Sequence, residues 1–106
     1  MPNTYKNAKV DLTTTNATTV LTTPVGSTNI IKSILASEDS GNADTITLTI
    51  TAGSDVFSLF KVKAVSANTT VELLTAPLVL AESEILKATA ATANRLHVVV
   101  SYMEIS

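Results

Sequence analysis

The chain has 106 residues, 45% hydrophobic but only 4% aromatic, with neither Cys nor Trp. That length fits one domain with a modest core of Val, Ile, Leu and Ala, and the lack of Cys rules out disulfides, thiolate catalysis and zinc-thiolate sites. Seven basic against nine acidic residues give a net charge of -2 with no Lys/Arg cluster, which argues against tracking a phosphate backbone.

Residues 5–12 alternate Tyr5, Asn7, Lys9 and Asp11 against Lys6, Ala8, Val10 and Leu12, a period of two that predicts a strand with one half-buried face. Residues 17–22 are rich in β-branched side chains and predict a short second strand, closed by Pro24, Gly26 and Ser27 as a chain reversal. In residues 28–37, strict alternation puts Ile30, Ile34 and Ala36 on one face and Ile31, Ser33 and Leu35 on the other, with Lys32 the only charge. The sharpest alternation follows, where Ile46, Leu48 and Ile50 point one way and Thr45, Thr47, Thr49 and Thr51 the other. Residues 30–51 thus read as a long β-hairpin around the polar loop 38–44.

After a turn at Gly53 and Ser54, residues 56–65 form a strand whose phase slips near Phe60, as a β-bulge would make it do. Residues 69–74 and the short piece 77–80 are extended, and 85–89 is a further strand. Residues 88–93, an Ala/Thr run, have helical propensity, but the run is short, lacks an apolar stripe and sits between strands. In the last strand, residues 96–105, Leu96, Val98, Val100 and Tyr102 oppose His97, Val99, Ser101, Met103 and Ile105.

About eight short strands with turns between them predict an all-β chain, residues 1–106 forming a single antiparallel β-sandwich domain, jelly-roll-like in its strand count. Two strands carry apolar residues on both faces, more than a lone subunit needs. The candidate subunit interface is therefore Ile30, Ile34, Ala36, Val99, Met103 and Ile105, and the expectation is a homo-oligomer, a trimer being favoured. The N-terminus MPNTYKNAKV has no apolar signal core, and no run approaches the ~18 apolar residues of a spanning helix. Folding in the cytosol without a membrane partner is expected.

No catalytic constellation stands out. The loop with Glu38, Asp39, Asn42 and Asp44 around Gly41 offers oxygen ligands, but its spacing is not that of a calcium loop, and a solvated tip is the simpler reading. His97 is the sole histidine and has no Asp, Ser or second His at a motif spacing, which makes it a surface or interface residue. Glu82 and Glu84 could pair as acid and base, yet they sit in a turn. Asn16-Ala17-Thr18 and Asn68-Thr69-Thr70 match the glycosylation acceptor pattern and read as turns. No catalytic, cofactor-binding or metal residue is expected, and no enzyme activity.

Nearly the whole chain, from Tyr5-Lys6 through TTVLTTPVGSTNIIKSILAS, SGNADTITLTI and ANTTVELLTAPLVL to ILKATAATANRLHVVVSYMEIS, resembles a group of small tailed-bacteriophage virion proteins. Those proteins join a threonine-rich β-sandwich to an ILKVTA-like strand and a final VSYxEI-like strand. Here residues 85–90 and 100–105 match them. The resemblance implies a structural role in the virion after assembly in the host cytoplasm. The favoured role is a capsid decoration (cement) protein that contacts the major capsid protein or other virion proteins. The alternative is a tail- or fibre-associated subunit, structural or receptor- or glycan-binding. A small Cys-free domain suits such work, because repeated weak contacts with a lattice add up through avidity.

Overall fold

The computed structural model describes residues 3–106, and among them every regular element is a β-strand. In chain order these are β1 (Asn3–Leu12), β2 (Thr18–Thr22), β3 (Thr28–Glu38), β4 (Asp44–Ala52), β5 (Asp55–Val65), β6 (Thr70–Glu72), β7 (Leu78–Leu80), β8 (Ile85–Ala90) and β9 (Leu96–Ile105). All pairings are antiparallel. One sheet runs β1-β9-β3, with β6 and β7 both pairing the far side of β3, and the other runs β2-β8-β4-β5. The Ala/Thr run continues β8 to Ala90 and then turns, so its helical propensity is overridden by pairing with β4 and β2.

The two arms around loop 38–44 do not form the expected hairpin. β3 pairs with β9, β6 and β7, whereas β4 pairs with β5 and β8. The loop carries the chain from one sheet to the other, and its length serves either connection equally well. Each sheet turns one face to a shared core. The first sheet contributes Leu12, Ile31, Ile34, Val98 and Val100, and the second Ile46, Leu48, Val65 and Leu86, all fully buried.

β3 departs from strict alternation. Ile31 is opposite Tyr102 and Ser33 opposite Ser101, which leaves Lys32 as an extra residue in the ladder. Asn29 and Ile31 before the bulge, and Ile34, Ala36 and Glu38 after it, all point inward. This corrects the expected interface: Ile34 and Ala36 are core residues with no exposed surface, while Ile30 belongs with Ser33 and Leu35 on the outer face. The slip expected near Phe60 is present, since the β4–β5 register shifts on both sides of Leu48. One of these bulges holds Val62 at φ 56, and its amide donates to Thr47 Oγ1 at 3.1 Å.

Two outcomes follow from the packing. Ile34→Lys should abolish folding, because an unpaired buried ammonium costs several kcal/mol against a total stability of roughly 5–15 kcal/mol; Val99→Lys, on the outer face, should leave a cooperative urea transition, and circular dichroism separates the two. Val62→Gly should raise stability by about 1 kcal/mol by relieving the left-handed backbone of a β-branched residue; an unchanged or lower urea midpoint would contradict this.

Candidate functional site

Glu38, Asp39, Asp44 and His97 lie at one end of the sheets, where the β1–β2, β3–β4, β5–β6 and β8–β9 connections are found. Glu38 points inward from the last position of β3 and is 1% exposed. Its carboxylate accepts hydrogen bonds from the amides of Ser40 (2.9 Å), Gly41 (3.1 Å) and Asn68 (3.1 Å), and from the Ser40 hydroxyl. Burial pushes its pKa up, but these donors favour the charged form more, and the value falls from 4.5 to about 2. Asp44, also buried, accepts from the Thr92 amide at 3.0 Å.

Asp39 turns outward to His97 Nε2 at 3.1 Å, while His97 Nδ1 meets Asp11 on β1. The hydrogen bond with Asp11 raises the His97 pKa; partial burial opposes this, and the nearby Asp39 charge adds to it. The three acids of the loop therefore have separate sets of partners, and no group of His, Asp or Glu fit to hold a metal occurs among the described residues. The His97 partners lie 86 and 58 residues away in sequence, so no local motif could have revealed them.

Glu82 and Glu84 do not converge. Glu82 accepts from the Gly26 amide at 2.7 Å, closing the β2–β3 turn, and Glu84 accepts from the Ala81 amide at 2.7 Å within its own turn. Each carboxylate stabilises a loop, with no shared cleft between them.

What distinguishes the molecule chemically is the contrast between its two outer faces. On the second sheet, Thr45, Thr47, Thr49 and Thr51 of β4 stand beside Lys87 and Thr89 of β8, with Ile85 and the exposed Val56 flanking Thr51 at one end, a largely hydroxylated surface whose hydroxyls stay hydrated while the methyls cover backbone. On the first sheet, one row across the strands reads Val79, Ile30, Met103 and Tyr5, and another reads Glu72, Leu35, Val99 and Lys9. Ile105 lies beyond the first row, between Thr28 and Asn3. Tyr5 is 75% exposed and Val79 58%. Four of the six expected interface residues, Ile30, Val99, Met103 and Ile105, thus share one outer face. Tyr5, Leu35 and Val79 join them there, a grouping that depends on the strand order and has no local signal in the sequence.

The titrating groups set a pH profile. Glu38 is depressed in the folded state, so its contribution is fully present above pH 4.5 and disappears as pH falls toward about 2. His97 is raised, so its contribution is present below pH 6.5 and fades as pH rises through the folded value. Urea midpoints measured across this range should show Glu38→Gln less stable at pH 7 and flatter between pH 4.5 and 2 than the parent. His97→Gln should be less stable than the parent below pH 6.5, with the difference fading as pH rises above it. A Glu38→Gln profile parallel to the parent's would refute the assignment.

No family model, curated protein sequence or solved structure matches the chain.

Proposed function

We propose that the protein is a non-enzymatic structural component of a bacteriophage virion, a decoration protein that docks on the capsid lattice through the outer face of its first sheet. The observation that carries this reading is the contrast between the faces. A hydrated threonine face needs no partner, whereas contiguous apolar residues on the opposite face mark a surface that meets another protein. The likeness of residues 85–90 and 100–105 to small phage virion proteins supports the placement. The strand order supports a jelly roll in particular: with β6 and β7 taken as one interrupted strand, the sheets read 1-8-3-6 and 2-7-4-5 when the strands are renumbered, as two interleaved Greek keys do.

Association of three copies belongs to the same proposal, since a repetitive lattice rewards multivalency. Exposed apolar side chains on β5 are available for it: Val56, opposite Thr51, and Val62 at the bulge are 62% and 60% exposed, and Phe57, on the other side of the strand opposite Ile50, is 57% exposed. Bulges and the flanking Lys61 and Lys63 guard that edge against strand addition, so contact there is made by side chains.

Particle reconstruction of the intact virion is the direct test, with copies at capsid lattice positions expected. Val99→Lys should reduce capsid occupancy while leaving the oligomer intact by light scattering, whereas Phe57→Lys should break the oligomer and, with avidity lost, lower occupancy as well. Density confined to the tail would overturn the decoration role in favour of a tail or fibre subunit. A monomer at micromolar concentration would remove the oligomer.

A further inference from the structure

We propose that the depression at the centre of this outer face receives a carboxylate, an acidic side chain that a partner protein presents among apolar neighbours. The inference rests on reading the face as a contact surface and names what the partner must bring to it.

The depression arises from side-chain size. The middle row across the strands is Asn7, Ser101 and Ser33, set between the bulky rows that contain Tyr5, Met103 and Ile30 on one side and Lys9, Val99 and Leu35 on the other. The resulting hollow has a volume of about 300 Å³ and is lined by Tyr5, Lys6, Asn7, Lys32, Ser101 and Tyr102. Lys32 is the bulge residue of β3, exposed at its edge.

The charges on this face are unequal. Lys6, which alternates to the other face beside Tyr102, is held by Glu104 at 3.1 Å, and among the described residues neither Lys32 nor Lys9 has a carboxylate partner. The acids nearby are already engaged. Glu72 accepts from the Ser33 hydroxyl and from the amides of Ile34 (2.9 Å) and Leu74 (3.2 Å), while Asp11 and Asp39 flank His97. A chain of net charge -2 thus presents a free ammonium, Lys32, at the centre of its apolar face and a second, Lys9, in the next row, with the nearby acids already engaged. A second copy docked by the same face would oppose Lys32 with its like, so the complementary occupant is a different surface, apolar and acidic. Lys32 at the hollow, with Lys9 one row away, suits a carboxylate; a nucleic-acid backbone would need several cations along a track.

Amide NMR titration with phenylbutyrate, an apolar carboxylate, tests the site, with phenylbutylamine and inorganic phosphate as comparators. Saturable shifts at Asn7, Lys32, Ser33 and Ser101 are expected from phenylbutyrate alone. Lys32→Gln should weaken them about fivefold, the scale of one exposed charge pair, and Lys32→Arg should retain them. An equal response to the amine or to phosphate, no response to the carboxylate, or indifference to Lys32→Gln would overturn the proposal. If Val99→Lys virions keep full occupancy while the phenylbutyrate shifts persist, the docking reading fails and the carboxylate site stands; lost occupancy without the shifts removes only the site.

Discussion

The extra residue that β3 carries at Lys32 is the constraint on which the rest of the structure depends. Without it, alternation from Ile31 would send Ser33 and Leu35 into the core and turn Ile34 and Ala36 to solvent. With it, both Ile31 and Ile34 are buried, and Ile30 and Leu35 line the outer face. A bulge leaves backbone groups out of the regular ladder, and a buried amide without a partner costs about 1–3 kcal/mol. Glu72 supplies the partner, accepting from the Ile34 amide and the Ser33 hydroxyl. Because Glu72 lies on β6, the same carboxylate fixes the short strand that closes this edge of the first sheet. Burial would raise its pKa, yet the hydrogen bonds from Ser33, Ile34 and Leu74 hold it below the usual carboxylate value.

The same device recurs at the connections. Glu38, Glu72, Glu82, Glu84 and Asp44 each accept from backbone amides in turns or at strand ends. In a chain without disulfides, such charge-assisted bonds are a way to hold loops that must pass between sheets. Glu38 is the strongest case, because it joins the β3–β4 loop to Asn68 in the β5–β6 loop. The acidic residues of the sequence are thus largely structural, and that is what leaves the positive charge of Lys32 uncompensated.

The parts of this arrangement that were legible in the sequence are those with an unambiguous period. Residues 45–51 offer apolar side chains at only one parity, so the core and solvent sides of β4 could be assigned at once. The stretch Ile30-Ile31-Lys32-Ser33-Ile34-Leu35 offers apolar residues at both parities, and no alternation rule can find a bulge there, so strict alternation puts Ile34 and Ala36 on the wrong side. Near Phe60 the bulge was legible because the pattern itself broke. The hairpin reading failed because a loop of this length can reverse a chain within a sheet or carry it between sheets, and only pairing with β9 and β5 decides which. The cluster of His97 with Asp11 and Asp39 depended on the same pairing.

The edges bear on how the molecule can associate. An open strand edge invites extension of the sheet by another chain, and β5 has eleven residues paired on one side only. Its two register shifts, the left-handed Val62 and the flanking Lys61 and Lys63 interrupt the straight, uncharged edge that such pairing needs. Thr47 supplies the acceptor for the Val62 amide, so the bulge is satisfied within the chain and leaves that donor unavailable to a neighbour. On the opposite side, β1 brings Lys6 and Lys9 to its edge. With both long edges blunted, side-chain contact is the remaining route to a specific partner, through the outer face of the first sheet or through the exposed apolar side chains of β5.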